Sequence, residues 1–374
     1  MAAYIKGVGM TAFGSSEKSS LEMSYGAILE ALQDSNMPIE KIDAIVVARN
    51  DFSSDGENQR LFGGMLCSML QRNIPIVQVS SACASGGVAL WNASRLGYDN
   101  VLAVGVEKLS SATTAQVTSD FLTAAQSVYE QDEGLIFPAQ YALVAQDFMK
   151  KSGATMADLG LIALKNHENA STNEKAKFFG KNITKELLEK SSVVCSPFRV
   201  LDCSISVDGA AAVVVSKSPT DIEIAGSALA TSPLGVFEMN DLSSFSSTKE
   251  AAKSAYQQAG IIAQDISCAE VHDAFTSAEI MAYEDLGFAK KGEGKVLIRE
   301  GKTKLSGVIP VNMSGGLKAR GHPVGATGIA QIYELVNQLR GKSGKRQVAN
   351  PKLGLAHNVG GCGTTAVVHI LRKK

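Results

Sequence analysis

One cysteine stands where a predicted strand meets a predicted helix. An apolar run at 74–79 leads into three small residues, Cys83 follows, and the small-residue stretch 88–93 has helical spacing. At a helix N-terminus the free N–H groups and the helix dipole favour a thiolate and can hydrogen-bond an oxyanion. A lone cysteine is more often a small buried hydrophobe, but the flanking serines and glycines favour a nucleophile at Cys83.

A histidine occupies the corresponding position later in the chain. His322 follows an apolar run at 309–312 and precedes a second small-residue helical stretch at 324–330, so the pattern around Cys83 repeats. An imidazole beside a thiol can take up its proton and later donate to a developing oxyanion. The internal repeat therefore predicts that two α/β halves bring Cys83 and His322 to one central site.

Two further motifs are candidates for the same site. His272 ends the predicted strand 268–272, and ligands bind at the carboxyl ends of strands in α/β sheets; a hydrogen-bonded core histidine is an equally supported alternative. The glycine-rich stretch 360–363 lies between two apolar strands, which indicates a hairpin turn. Its glycines can bring backbone N–H groups close to a ligand, whereas this stretch alone does not favour acid–base chemistry by Cys362.

The remaining histidines and cysteines are assigned mainly structural roles. His357 and His369 lie in or beside apolar strands, and His167 lies in a polar region, where it either lines a pocket or is exposed. The other cysteines are interpreted as small core hydrophobes: Cys67, Cys195, Cys203 and Cys268. No CxxC pair is present, which disfavours a tetrahedral zinc site, and no GK[ST] follows the glycines at 315–321, which disfavours a phosphate-binding loop.

Composition limits the class of protein. The chain has 374 residues, 45% apolar and 20% charged, with a net charge of −1. This length favours two subdomains, and the charge lacks the electrostatic footprint of a nucleic-acid-binding protein. The first residues show no signal-peptide pattern, and no apolar run approaches the length of a membrane span. We therefore predict a soluble cytoplasmic protein with reduced thiols.

Strands and helices alternate in the two outer parts of the chain. Predicted strands lie at 3–10, 44–48, 74–79, 101–107, 209–216, 222–226, 268–272, 353–359 and 364–370. Predicted helices lie at 21–32 with Ser20 as N-cap, around 61–70, after Cys83 with an end near Gly97, and at 249–258. Their nearly continuous apolar strands favour a buried, mostly parallel α/β sheet. Residues 110–200 are more polar, with helical patterns and no strong strand, so we interpret them as an insertion. The predicted units are an N-terminal half (1–109 and 201–219), the insertion (110–200) and a C-terminal half (220–374).

Four motifs in one order and spacing make the chain resemble the thiolase superfamily. They are Ser-Ala-Cys-Ala-Ser-Gly at 81–86, His-Asp-Ala-Phe at 272–275, Gly-His-Pro at 321–323 and Gly-Gly-Cys-Gly at 360–363. The segments 7–14, 165–167 and 357–361 are similar to the sterol-carrier-protein-type and archaeal-type acetoacetyl-CoA thiolases. The resemblance implies the thiolase fold, with two duplicated α/β halves in a layered α-β-α-β-α arrangement and a loop insertion in the first half.

The resemblance also implies roles for individual residues. Cys83 would be the acylated nucleophile, and His322 would activate its thiol and line an oxyanion hole. His272 replaces the asparagine of the commoner NEAF motif and would help to polarise the thioester oxygen. The backbone N–H groups of Cys83 and Gly360 would form a second oxyanion hole.

The chain departs from the family pattern at the second catalytic cysteine. Many thiolases take it from a CxG motif, which here falls at Asn358, and the sterol-carrier type takes it from HDCF, where this chain has Ala274. We hypothesise that Cys362, in the glycine turn a few residues from the CxG position, substitutes as the acid/base.

The implied activity is that of an acetyl-CoA C-acetyltransferase, which joins two acetyl-CoA molecules reversibly through an acyl-cysteine intermediate. The alternatives are a longer-chain 3-ketoacyl-CoA thiolase of degradative metabolism and a non-catalytic acyl-CoA-binding scaffold subunit. The resemblance implies coenzyme A thioesters as substrates, no permanently bound cofactor or metal, a homodimer or homotetramer, and hydroxymethylglutaryl-CoA synthase as a partner. Candidate contacts to the coenzyme A phosphates are Lys165, Lys175, Lys177 and Arg199, although a solvated basic face explains them equally well.

Overall fold

Strands and helices alternate through most of the chain. A computed structural model describes residues 3–50 and 52–374. The strands of these residues are β1 (Tyr4–Met10), β2 (Ala44–Ala48), β3 (Ile76–Val79), β4 (Asn100–Glu107), β5 (Val193–Cys195), β6 (Phe198–Arg199), β7 (Gly209–Ser216), β8 (Ile222–Thr231), β9 (Cys268–Glu270), β10 (Leu353–Gly360) and β11 (Thr365–Lys373). The α-helices are α1 (Ser20–Asp34), α2 (Phe62–Leu70), α3 (Ser85–Ala93), α4 (Thr114–Leu122), α5 (Phe137–Ser152), α6 (Met156–Ser171), α7 (Lys185–Lys190), α8 (Ser246–Ala259), α9 (Thr276–Asp285), α10 (Gly294–Arg299), α11 (Gly316–Ala319) and α12 (Thr327–Arg340).

Nine of these strands form one mixed sheet in the order β3-β2-β4-β7-β1-β8-β11-β10-β9. Strand β2 runs parallel to β3 and β4, and β9 runs parallel to β10. The other neighbours are antiparallel, so the prediction of a mostly parallel sheet is wrong. The β10–β11 hairpin shows one reason, because a tight turn can join only antiparallel strands.

Two central helices lie between the two halves of this sheet. Helices α3 and α12 pack against each other, and both contact strands of the N-terminal half (β1–β4 and β7) and of the C-terminal half (β8–β11). Helix α1 packs on strands of the first half, and α8 packs on strands of the second. The expected α-β-α-β-α layering is confirmed, and it places the N-terminal ends of both central helices at the middle of the molecule.

Glycines let the two central helices approach each other closely. A Cβ atom at Gly328 of α12 would lie 2.2 Å from the backbone nitrogen of Gly87 in α3 and 2.4 Å from Oδ1 of Asn358. Both distances are far shorter than a van der Waals contact, so a methyl group at this position would force the helices apart.

We expect Gly328→Ala to lower the free energy of unfolding by about 1–3 kcal/mol, because the added methyl group overpacks the helix contact. Urea unfolding followed by circular dichroism measures the change. The matched control is Gly64→Ala in α2, where nothing lies within 4 Å of the new Cβ and alanine is expected to stabilise the helix by about 0.5–1 kcal/mol. A Gly328→Ala protein as stable as the wild type would contradict the close packing.

Residues 110–200 contribute helices α4 to α7 and the two-stranded β5–β6 ribbon, in agreement with the predicted helical patterns. Two local expectations are wrong. Ser19, not Ser20, is the N-cap of α1, because its hydroxyl accepts from the N–H of Glu22 while the Glu22 carboxylate accepts from the Ser19 N–H. The run 309–312 is not a full counterpart of β3, because it pairs through a single bridge between Ala269 and Val311.

Among residues 3–50 and 52–374, every helix falls short of the length or the hydrophobicity that a membrane crossing requires.

Candidate active site

A tight turn between β3 and α3 presents Cys83. The N–H of Ala84 donates to the Ser81 carbonyl at 3.1 Å, and the N–H of Ser85 donates to the Ala82 carbonyl at 3.1 Å. Ala82 has a φ of +48°, a left-handed conformation that costs a non-glycine residue free energy and is typical of functional turns. Cys83 is therefore held in a constrained turn directly before the N-terminus of a central helix.

His322 lies directly beside this sulfur. Its Nε2 is 3.3 Å from Sγ of Cys83, and its Nδ1 is 2.6 Å from Oγ1 of Thr327. The Thr327 hydroxyl donates its proton to the Pro323 carbonyl at 2.9 Å, so its oxygen accepts from Nδ1–H of His322. A neutral imidazole has one N–H and one acceptor nitrogen, which leaves the Nε2 lone pair of His322 facing the Cys83 thiol.

Burial favours the neutral form of both side chains. Burial, with a smaller contribution from Glu107, raises the pKa of the Cys83 thiol to about 12. Burial, with a smaller contribution from Arg320, lowers the pKa of His322 to about 3. Desolvation therefore opposes the thiolate that the helix N-terminus favours. Nε2 of His322, 3.3 Å from the sulfur, is placed to take up the thiol proton.

Alkylation of Cys83 by iodoacetamide should be slow near neutral pH and accelerate about tenfold per pH unit up to about pH 10. The reason is that a thiol with a pKa of about 12 supplies little thiolate at neutral pH. Peptide mass spectrometry measures the rate, and alkylation of the half-buried Cys67 in the same samples monitors the reagent. A rate that has already reached its plateau near neutral pH would contradict the neutral pair.

His272 completes a cluster of three reactive side chains. One nitrogen of each histidine and the sulfur of Cys83 all lie within 4.8 Å of one another. The rings of His272 and His322 are 5.6 Å apart and nearly perpendicular. The structure therefore brings together the sulfur and both imidazoles that sequence reasoning assigned to one site.

Asn358 ties the cluster together, and its contacts were missed at the sequence level. Its Nδ2 donates to the Cys83 carbonyl at 2.9 Å and lies 3.2 Å from Nδ1 of His272. Its Oδ1 accepts from the N–H of Gly87 at 3.0 Å. The available signal was its position at the CxG motif, which marks a residue close to the nucleophile. Thr327 was also missed, although it lies five residues after His322 on the next helix.

A cavity of about 530 Å³ opens above the cluster. Helices α4 and α5 of the insertion form much of its wall, so residues 110–200 cover the site. Its lining includes Cys83, His272 and His322 together with a mostly apolar wall of Leu109, Val117, Phe121, Phe137, Tyr141, Val207 and Phe275. The cluster therefore lies at the wall of a largely apolar pocket.

The glycine turn lies against the nucleophile loop, but its cysteine lies deeper. A Cβ on Gly360 would be 2.3 Å from the Ser81 carbonyl oxygen, so this glycine permits the close approach. Gly361 lines the pocket, whereas Cys362 is buried in the hydrophobic core. Burial, with a smaller contribution from Glu130, raises the pKa of Cys362 well above its usual range.

Cys203 lies in the pocket wall, although the sequence favoured a core role for it. It pairs with Phe275 through a single antiparallel bridge, next to Ala274, the position of the HDCF cysteine. It lines the pocket and is half-buried. Burial raises its pKa to about 12. Cys203 is therefore, with Cys83, one of the two cysteines that line this pocket among the described residues.

Only one of the four basic residues suggested for coenzyme A binding lines the pocket among the described residues. Lys165 is buried in an ion pair with Glu279 at 2.7 Å, Lys175 pairs with a glutamate, and Arg199 donates to a backbone carbonyl. Lys177 is half-buried in the pocket wall. It is therefore the candidate that an anionic group of the substrate can contact.

The other three histidines lie in structural positions. His357 contacts the Thr248 hydroxyl at 2.9 Å, and His369 contacts the Ser227 hydroxyl at 3.0 Å. His167 is buried against the ring of Phe178, which excludes the exposed alternative.

Comparison with known proteins agrees with this geometry. The family model for the thiolase N-terminal domain matches residues 3–218, and the thiolase C-terminal domain-like model matches residues 228–373. The chain is 39% identical to an acetyl-CoA acetyltransferase of Methanothermobacter thermautotrophicus, over 98% of both chains. It is 36% identical to the benzoylsuccinyl-CoA thiolase subunit BbsB of Thauera aromatica, over 96% of this chain and 94% of that protein.

A solved structure extends the agreement to the fold. The Ltp2-ChsH2(DUF35) aldolase is 24% identical and superposes with a TM-score of 0.85, over 100% of this chain and 98% of that one. The matching family models, the relatives and the cysteine–histidine cluster lead to one conclusion. The chain belongs to the thiolase family and is an acyltransferase.

Proposed function

We propose that this protein is an acetyl-CoA C-acetyltransferase, which condenses two acetyl-CoA molecules reversibly to acetoacetyl-CoA and free coenzyme A. The observation that carries the proposal is the 3.3 Å contact between Cys83 and His322 beside an apolar pocket. The 39% identical acetyl-CoA acetyltransferase supports the choice of the acetyl group. The proposed place of the reaction is lipid metabolism and the mevalonate pathway, in the cytoplasm.

The first half-reaction transfers an acetyl group to sulfur. His322 takes the thiol proton at Nε2 while Sγ of Cys83 attacks the carbonyl carbon of acetyl-CoA. The tetrahedral intermediate collapses, its C–S bond to coenzyme A breaks, and His322 returns the proton to the departing thiolate. The thioester oxygen, negative in the intermediate, would be stabilised by the proposed hole formed by the N–H groups of Cys83 and Gly360, and each such donor contributes about 2.7–4 kcal/mol.

The second half-reaction forms the carbon–carbon bond. A base removes a proton from the methyl carbon of a second acetyl-CoA, and the enolate carbon attacks the acetyl group on Cys83. The acyl–sulfur bond then breaks, and Cys83 regains a proton as acetoacetyl-CoA leaves. His272 would stabilise the enolate oxygen. Covalent attachment of the first acetyl group replaces one bimolecular encounter with an oriented one.

The base of the second half-reaction is either Cys362 or Cys203. Cys362 is the cysteine proposed from the sequence, and Cys203 lies on the pocket wall beside the HDCF position. Cys362→Ala and Cys203→Ala separate the two, with the buried Cys268→Ala as a matched control. The variant that lacks the base should lose the condensation activity but should still accept an acetyl group on Cys83. Full activity in both directions would remove that cysteine from the mechanism.

A bulkier acyl chain is the second candidate substrate. The aromatic part of the pocket wall consists of Phe121, Phe137, Tyr141 and Phe275, which is more apolar surface than an acetoacetyl group can cover. The 36% identical relative named as a benzoylsuccinyl-CoA thiolase subunit also supports a bulkier acyl substrate. A longer-chain or aryl 3-ketoacyl-CoA thiolase is therefore the alternative.

The deciding experiment is thiolysis with free coenzyme A, comparing acetoacetyl-CoA with a straight-chain and an aryl 3-ketoacyl-CoA. The first proposal expects the highest kcat/KM for acetoacetyl-CoA, and the alternative expects it for a longer substrate. Cys83→Ala is the control for background cleavage. Tight binding of all substrates without turnover would support the third alternative, a scaffold subunit.

We propose a homodimer through the edge of the sheet. Strand β3 ends the nine-stranded sheet, and it is only half-buried, with Val77 exposed. An unprotected edge strand readily pairs with another chain. Sedimentation equilibrium tests the assembly: Val77→Lys at the exposed position of β3 should yield monomers, because a lysine on an edge strand opposes pairing with another chain. Hydroxymethylglutaryl-CoA synthase stays a proposed partner on the basis of the archaeal-type resemblance.

A further inference from the structure

We propose that Asn358 is a positioning residue that holds His272 as the tautomer protonated on Nε2. In this form His272 enters the reaction as a hydrogen-bond donor and not as a base. The assignment of a catalytic role to His272 rests on the proposed function, but the tautomer itself follows from hydrogen bonds that exist without substrate.

Two backbone groups fix the orientation of the Asn358 amide. The N–H of Gly87 can only donate, and it points to Oδ1 at 3.0 Å. The carbonyl of Cys83 can only accept, and it lies 2.9 Å from Nδ2. If the amide were rotated by half a turn, Nδ2 would face the N–H of Gly87, which places two donors opposite each other. Oδ1 would then face the carbonyl of Cys83, which places two acceptors opposite each other. The oxygen and nitrogen positions are therefore determined by the chain itself.

This orientation decides the protonation of His272. Nδ2 of Asn358 carries two hydrogens; one goes to the Cys83 carbonyl, and the other points to Nδ1 of His272 at 3.2 Å. Nδ1 must therefore accept, so the single proton of the neutral ring is on Nε2. Burial, with His322 and His357 nearby, lowers the pKa of His272 well below its usual range, which keeps the ring neutral.

The two histidines are consequently held in opposite roles. Thr327 accepts a hydrogen bond from Nδ1–H of His322, which leaves the lone pair of Nε2 facing the thiol. Asn358 gives His272 an N–H on Nε2. A base for the thiol proton and a donor for an oxygen that becomes negative are the two groups that acyl transfer requires, and here each is set by one neighbouring side chain.

The same contact opposes metal binding. A sulfur and two imidazoles within 4.8 Å of one another resemble a zinc ligand set. For His272 to bind a metal through Nε2, its proton would have to move to Nδ1, where it would face the N–H of Asn358. Histidines that bind metals normally donate this second N–H to a carboxylate or carbonyl oxygen. Asn358 therefore disfavours occupation of the catalytic cluster by zinc.

The wild-type protein allows a direct test by nitrogen-15 NMR of labelled histidines. The signal of His272 is assigned by its absence in His272→Asn. We expect a protonated Nε2 and an unprotonated Nδ1 near neutral pH. A proton on Nδ1 would overturn the inference. This spectrum needs no substrate, so failure of the proposed reaction and failure of the tautomer assignment are distinguishable.

Asn358→Asp provides the second test, because aspartate has nearly the same shape but only accepts hydrogen bonds. We expect the His272 proton to move to Nδ1 and Zn²⁺ to bind about 10-fold to 100-fold more tightly, measured by titration with zinc and by the thiolate absorption of bound Co²⁺. The control is Asn169→Asp, whose buried amide also donates to a backbone carbonyl, that of Asn312 at 2.9 Å. Zinc affinity equal to that of the wild type in a folded Asn358→Asp protein would contradict the proposal.

Discussion

Cys83→Ala should lower the kcat/KM of thiolysis by at least about 10⁴-fold, which is the scale of loss when a covalent nucleophile is removed. No other described sulfur lies in the cluster with His272 and His322. Steady-state thiolysis of acetoacetyl-CoA, or of the best 3-ketoacyl-CoA, measures the loss.

The fold should survive this change. Cys83 is half-buried at the pocket wall, and alanine keeps the backbone turn intact. Circular dichroism and substrate binding should therefore match the wild type. Cys67→Ala serves as the matched control, because that sulfur is also half-buried but interacts with the carbonyl of Arg72. Residual turnover of a tenth of the wild-type rate in Cys83→Ala would exclude Cys83 as the nucleophile.

His322→Ala should have the second-largest effect, a loss of kcat/KM of about 10²-fold to 10⁴-fold, the range for a general base. The thiol pKa of about 12 makes this base necessary, because little thiolate forms without it. The residual rate should increase about tenfold per pH unit above neutrality, since hydroxide and not His322 then generates the thiolate.

Thr327→Val tests the orientation of the His322 ring, whereas His322→Ala removes the ring. The variant keeps the ring but removes the hydroxyl that holds Nδ1–H, so we expect a smaller loss, about 10-fold, and no new pH dependence. Rates are measured from acid to alkaline pH for both variants. A pH-independent His322→Ala enzyme with more than about a tenth of the wild-type rate would contradict the role of His322 as base.

The pairing of Cys83 with His322 was predictable because the sequence repeats itself. Both residues precede a small-residue helix, and a duplicated fold places the ends of those two helices together, here α3 and α12. The fold also explains the small residues: Gly87 and Gly328 are the points of contact between the helices. Local pattern and chain symmetry were sufficient for this part of the site.

Asn358 and Cys203 could not be assigned in this way. The role of Asn358 depends on where the end of β10 meets the Cys83 turn, and that meeting joins positions 275 residues apart. Cys203 lies between Asp202 and Ser204 in a stretch with no recognisable motif, and its segment reaches the pocket wall where it pairs with Phe275. The directions of the strands were equally hard to predict from the sequence. Strand β7 follows the long insertion, and its pairing partners are set by three-dimensional packing.

The most direct test of the account is to identify the acyl-enzyme. Wild-type protein mixed with acetyl-CoA, quenched in acid and digested with protease, is analysed by mass spectrometry of the peptides. We predict one acetyl group per chain, attached to Cys83 and absent from Cys83→Ala, with His322→Ala acquiring it far more slowly. Turnover without an acetyl group on Cys83, or with the group on Cys203 or Cys362, would contradict the central claim.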